Sequence, residues 1–268
     1  MNNKWLKGTS VLLVAGIAIG INLIGFMKTR QNQQQQQIEQ AVTTIKSQKQ
    51  QLEELNKAIN GTYLDQTQDL LRANLTSNDV TKIENHLNGL RVTAEDFSLS
   101  AADLPTDVEN LSQEKAALKD QLQDLIGKIN IQEQTTNLFT NEKVNFQTVT
   151  NDVIIKKETT LKKIEDIRKS LPSFQAGKWT TLIEEYLGYT TAQVTRADDL
   201  TASFKEMLKD GVITEAANYE QYLIAADSIA QVRNPELKGK FEAQLNQVSE
   251  QLGLGITYSE EITEESFE

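Results

Sequence analysis

A single histidine, His86, and the absence of cysteine limit the chemistry open to this chain. A Ser-His-Asp triad would have to use His86. That residue sits in a polar stretch between Asn85 and Asn88, the setting of a solvated surface histidine. Without cysteine there is no thiolate nucleophile, no thiolate metal site and no disulfide framework. Carboxylates are plentiful, but none falls at a metal-ligand spacing. No glycine-rich phosphate loop, nucleophile elbow, zinc-protease or EF-hand pattern occurs. The expectation is a non-enzyme with no cofactor, no catalytic residue and no metal site. The best ligand surface is aromatic: Trp179, Tyr186 and Tyr189 lie close together, and Trp179, Ile183 and Tyr186 share a helical face. Exposed rings there could stack on glycan rings. The favoured alternative is that they fill the core of a helical bundle.

The element that would position everything else is Gly8–Met27, a stretch of about twenty residues without charge. That is the length a helix needs to cross a hydrocarbon core of roughly 30 Å. A single segment in lipid must be helical, because its backbone groups have no other partners. A cleavable signal peptide has a shorter apolar run and a small-x-small site after it. Here the run passes into Phe26-Met27-Lys28-Thr29-Arg30, so an uncleaved signal anchor is expected. The short tail before it stays inside, which places residues 31–268 outside the cytoplasm. Gly16 and Gly20 form a small-xxx-small pair that lets two membrane helices approach closely. Ordinary glycine use in an anchor is the preferred explanation.

Of the 268 residues, 38% are apolar, and the membrane segment takes a share of those. What remains suits long amphipathic helices. Three prolines and thirteen glycines leave few interruptions. The net charge of −11 makes a nucleic acid a poor partner.

After the glutamine run 31–37, Ile38, Ile45, Leu52 and Ile59 recur every seven residues, with Ala41, Gln48 and Leu55 between them. This is an a/d seam over about three heptads, the threshold for a coiled coil. Whether the seam pairs between chains, giving a homodimer, or within one chain is open. Asn60-Gly61 suits a left-handed helix stop. Residues 63–75 read as a short amphipathic helix, and Ser77-Asn78-Asp79 starts another. The loop 93–107 carries Pro105 and marks a boundary. Heptads return with Leu111, Leu118, Leu122, Leu125 and Ile129, in a helix to about Phe139. Further helices are expected over 153–170, 179–189, 191–209 and 214–232. Asp210-Gly211 turns the chain, Asn234-Pro235 opens the last helix, and Gly253 closes it. Five glutamates fall in the last nine residues, so the tail reads as disordered.

The stretch Leu138-Phe139 through Val144 is loosely echoed by Phe204 through Val212, each followed by a helix. Two such units would be a duplicated helical module. These stretches, with Asn234-Pro235-Glu-Leu-Lys, resemble the extracellular helical region of the MapZ family of midcell-anchored division proteins, over roughly residues 108–252. The family has a long cytoplasmic segment that engages the division tubulin and a distal module that binds peptidoglycan. This chain departs from both, so the resemblance implies location and a spacer role but no binding residues.

The expected architecture is therefore all-α. It comprises a cytoplasmic tail (1–7), a transmembrane signal anchor (8–27), a coiled-coil and helical stalk (28–92), an extracytoplasmic helical module (108–252) forming an elongated antiparallel bundle, and a disordered acidic tail (253–268). The expected role is a single-pass, membrane-anchored scaffold of a bacterial envelope, presenting a helical surface to peptidoglycan or another envelope protein. The alternative is a helical sensor or adaptor module for a soluble ligand or secretion partner.

Overall fold

A computed structural model describes residues 31–64, 66–141 and 144–258. The expected cytoplasmic tail, the membrane segment with Gly16 and Gly20, and residues 259–268 lie outside these. Among the described residues no helix is long and apolar enough to cross a membrane.

The described chain is all-α but for short hairpins. Residues 31–47 form α1. It is followed by α2 (Lys49–Asn60), α3 (Ser77–Gly89), α4 (Thr106–Thr136), α5 (Leu161–Ser170), α6 (Lys178–Met207), α7 (Tyr219–Ala230) and α8 (Pro235–Leu252). One two-stranded antiparallel pair, β1 (Leu208–Lys209) with β2 (Val212–Ile213), joins α6 to α7. The chain divides into two compact units. Unit 1 runs to Gly61 and takes in Asn78–Gln123; unit 2 is Thr62–Ser77 with everything from Asp124. The division therefore does not fall at 93–107, and α4 belongs to both units.

In unit 1 the heptad residues Ala41, Ile45, Leu52, Leu55 and Ile59 are all buried within the single chain. Ile38 and Gln48 are half-buried. Between α1 and α2 the Gln48 side chain accepts the Arg91 N–H at 2.6 Å. The loop after α3 is held by two local devices. Asp96 accepts the Thr93 N–H at 2.9 Å, and Asp103 accepts the N–H and hydroxyl of Ser100 at 2.9 and 2.8 Å.

Unit 2 holds two apolar clusters strung along α6. Phe139, Ile155, Ile164, Trp179, Ile183, Tyr186 and Leu187 belong to the first. Leu200, Phe204, Met207, Tyr222, Ile229, Phe241 and Leu245 belong to the second. Phe204 and Phe241 stack at 6.1 Å with an interplanar angle of 13°.

One local arrangement, a helix, a hairpin and a second helix, occurs three times. The hairpins pair Tyr63 with Leu71, Phe139 with Ile155, and Leu208 with Ile213. Each is closed by the same bond: Arg72 N–H to Thr62 O, Lys156 N–H to Leu138 O and Thr214 N–H to Met207 O, all at 2.9 Å. Thr76, Thr160 and Asn218 then stand at one position before the next helix. Thr160 and Asn218 cap it by accepting the N–H of Lys163 and Gln221. The buried residues that follow keep step: Val80 and Leu87, Ile164 and Leu171, Tyr222 and Ile229. The loop between the pairing residues differs, running over 64–70, 140–154 and 209–212. The expected echo set Phe139 against Phe204. The pairing instead aligns Phe139 with Tyr63 and Leu208, and Phe204 lies inside α6.

Other expectations shift for physical reasons. Residues 63–75 are a hairpin and turn, because Tyr63 and Leu71 bury themselves as a cross-strand pair. Val153–Ile155 serves the second hairpin, so α5 begins only at Leu161. The two helices expected across 179–209 are one. Thr190 and Thr191 do not interrupt it, since their hydroxyls bond back to the Tyr186 and Leu187 carbonyls, each at 2.7 Å. Gly61 ends α2 at φ −68°, so no left-handed stop is used there. Asp210 and Gly211, at φ 50° and 80°, make the tight turn between β1 and β2. Residues 254–258 fold back on unit 2: the Ser249 hydroxyl donates to Ile256 O at 2.6 Å, and the Tyr258 N–H donates to Asn246 at 2.6 Å.

Candidate functional site

The rings weighed as a ligand face lie where the favoured core alternative puts them. Trp179 and Tyr186 are 0% exposed, and Tyr189 is half-buried. Large rings on α6 contribute most when enclosed, and both are built in by partners. Phe174 packs on Trp179 at 4.9 Å, and Phe139 and Phe146 flank Tyr186 at 6.1 and 5.7 Å. The Tyr186 hydroxyl donates to Asn145 O at 2.7 Å, tying α6 to the long loop of the second hairpin. His86 is exposed on α3. No group of histidines and carboxylates among the described residues could hold a metal.

Among the described residues of unit 2 the buried charge is Lys128 on α4. Its ammonium meets Gln68 O at 2.9 Å, Asp69 O at 3.3 Å and Asp124 Oδ2 at 3.2 Å. An ammonium has three hydrogens, so no donor is left for chemistry. The rings of Tyr63 and Trp179 face it at 5.3 and 5.7 Å. Burial, then the neighbouring Asp124 carboxylate, push the Tyr63 phenol well above its ordinary pKa, so it stays protonated. The neighbouring Asp69 carboxylate caps α6, accepting Lys178 N–H at 2.7 Å and Trp179 N–H at 3.3 Å. Lys128 and Asp69 thus fix the first hairpin to α4 and α6. This is a structural clamp.

The other two hairpins are held in a related way. Gln193 on α6 accepts Ile155 N–H at 3.4 Å and donates to Val153 O at 2.9 Å. Gln251 on α8 accepts Ile213 N–H at 3.0 Å and donates to Gly211 O at 2.9 Å. In each case the helix after the hairpin module supplies an amide to the second pairing residue and to the carbonyl two residues before it.

What these clamps leave open is a groove of about 920 Å³ within unit 2. One wall is the turn Leu71–Thr76. The other is Val144–Gln147, from the long loop of the second hairpin, and the base is the last turns of α4. Leu71, Ile129, Val144 and Phe146 supply apolar surface. Asn74, Gln132, Asn137 and Gln147 supply neutral amides. No family model, curated protein or solved structure matches the chain. The groove must therefore be interpreted from its own residues.

Of the groove residues, sequence picked out only Ile129, as a heptad position, and Val144, in the echoed stretch, and neither as a site. The rest are common types brought together by the fold, and only the heptad positions of α4 carry a periodic signal. Lys128 and Asp69 were missed for the same reason: the residues each one holds are far away in sequence.

Proposed function

We propose that this chain is a single-pass, membrane-anchored scaffold of a bacterial envelope, with its helical bulk outside the cytoplasm. The observation that carries this reading is the uncharged Gly8–Met27 stretch, followed by polar helical sequence to the end. The finer architecture belongs to the same proposal: a membrane helix, a helical stalk and a bundle of repeated units, three rather than two if the hairpins are counted. Repeated modules that bury only their neighbours build spacers economically. The clamps support a rigid role, since Lys128, Gln193 and Gln251 spend their hydrogen bonds on backbone. The resemblance to the MapZ extracellular region fits the same location and spacer role.

The heptad residues are enclosed within one chain, which favours pairing of the seam inside the chain over a homodimer. The partner in this reading is the membrane together with peptidoglycan or an envelope protein. Fractionation tests it. The chain should stay in the membrane pellet after carbonate extraction, with its intact mass. Recovery in the soluble fraction, or a mature N-terminus behind Met27, would overturn it.

A further inference from the structure

We propose that the groove of unit 2 binds an extended, uncharged stretch of polypeptide from a partner protein. The first argument comes from comparing the three hairpins. They share pairing, closing bond and cap position, but only the second carries a long loop, over residues 140–154. Insertions into one copy of a repeated module tend to mark a binding face. Here the described part of that loop, Val144–Gln147, is one wall of the groove.

The second argument is the hydrogen-bonding capacity left free. Among the described lining residues one cation and one anion, Arg72 and Glu133, balance in charge, and each makes a hydrogen bond within its own surroundings. Arg72 Nε donates to Tyr63 O at 3.0 Å, and Glu133 accepts the Ser77 hydroxyl. The side-chain amides of Asn74, Gln132, Asn137 and Gln147 make no hydrogen bond among the described residues. Asn74 is held at φ 65°, a left-handed conformation. Each amide offers both a carbonyl acceptor and an N–H donor. That pairing complements the alternating N–H and C=O of an extended main chain.

The third argument is the floor. Leu71 and Ile129 are nearly enclosed, while Val144 and Phe146 are half-buried. Aliphatic surface between amides suits alternate apolar side chains of a strand-like peptide. A sugar ring would want a flat aromatic platform. Phe146 is the one aromatic lining residue, and it stands edge-on to Tyr186 at 69°. A net charge of −11, with a single cation, Arg72, in the described lining, makes a polyanion a poor occupant.

The proposal does not depend on the membrane anchor. Its test uses the full chain in mild detergent, screened against a phage-displayed library of random dodecapeptides. Selected peptides are then synthesised and measured by fluorescence anisotropy. The expected result is enrichment of uncharged sequences with apolar residues at alternate positions. Their binding should weaken at least tenfold in Gln132→Trp, which fills the groove, and in Asn137→Ala combined with Gln147→Ala. Glu250→Gln, away from the groove, should bind as the parent does, and all variants should melt as the parent does. The proposal is overturned if no common sequence emerges, or if selected peptides bind the groove variants unchanged. It is equally overturned if chito-oligosaccharides bind the groove and peptides do not.

Discussion

Asp69 offers a quantitative test of how unit 2 is tied together. Its carboxylate takes the N–H groups of Lys178 and Trp179, the first residues of α6, from a hairpin far away in sequence. Losing an N-terminal cap costs about 0.5–2 kcal/mol. Losing the favourable charge at a helix N-terminus costs a further 0.3–1 kcal/mol or so. Asp69→Ala should therefore destabilise unit 2 by about 2 kcal/mol, and Asp69→Asn, which keeps an acceptor, by about half as much. A Cβ on Gly177 would stand only 2.7 Å from Asp69 Oδ2. Gly177 itself lies at φ −173°, extended backbone open to alanine, so Gly177→Ala should destabilise only through that clash. With Asp69→Ala in place, Gly177→Ala should become nearly neutral, a coupling of about 1 kcal/mol or more in a double-mutant cycle. The assay is urea unfolding of the full chain in mild detergent, in a Trp5→Phe background. Trp179, 0% exposed, then reports alone. Additive effects of the two substitutions, or an Asp69→Ala cost below a few tenths of a kcal/mol, would refute the capping role.

The two glutamine clamps should differ in strength. Gln193→Leu strands the Ile155 N–H and Val153 O in a half-buried setting and should cost about 1–3 kcal/mol. The same change at exposed Gln251 should cost under about 1 kcal/mol, because water can replace it; equal losses in thermal melts would contradict this. In unit 1, the Asp96 carboxyl is held below its ordinary pKa: burial opposes the shift, and hydrogen bonds from Thr93 outweigh it. Asp103 is lowered by its bonds from Ser100. Carboxyls lowered by folding add stability above their unfolded pKa, near 4, and lose it as pH falls through the folded value. Asp96→Asn should therefore flatten the acid limb of unit 1 stability below about pH 4, read by circular dichroism, and an unchanged limb would count against it. Ile45→Asn should cost about 3–5 kcal/mol in unit 1, since Ile45 is 0% exposed in one chain. A folded variant that merely dissociates from a dimer in sedimentation would show that the seam pairs between chains.

The parts of the fold visible in sequence are those with strong local signals. Asn234-Pro235 and Gly253 bracket α8, where Asn234 accepts the Leu237 N–H and Gly253 sits at φ 70°. Asp210-Gly211 makes the turn its type predicts. The heptads identified the buried side of α1, α2 and α4, through Ile45, Leu52, Leu118 and Leu125, but not what covers it. The first two hairpins were missed because each is a single pair, Tyr63 with Leu71 and Phe139 with Ile155, too short for an alternating pattern. The break expected near Tyr189 is absent: Thr190 and Thr191 are weak helix formers, but burial of Leu187, Thr190 and Val194 overrides that preference. Trp179 and Tyr186 show why clustered aromatics are ambiguous: the spacing that makes a shared face also makes a core. The clamp at Lys128 and the amides of the groove were not legible, because their partners are distant in sequence and their types are common.

The absence of native cysteine allows the most direct test of the proposed topology. Cysteines are introduced singly at two exposed positions, Lys119→Cys in unit 1 and Lys162→Cys in unit 2. Intact cells are then treated with a membrane-impermeant maleimide, and the membrane fraction is analysed. A membrane-anchored extracytoplasmic scaffold predicts that both positions label in intact cells while the chain stays in the pellet. Labelling only after lysis, or labelled chain released into the medium, would contradict it.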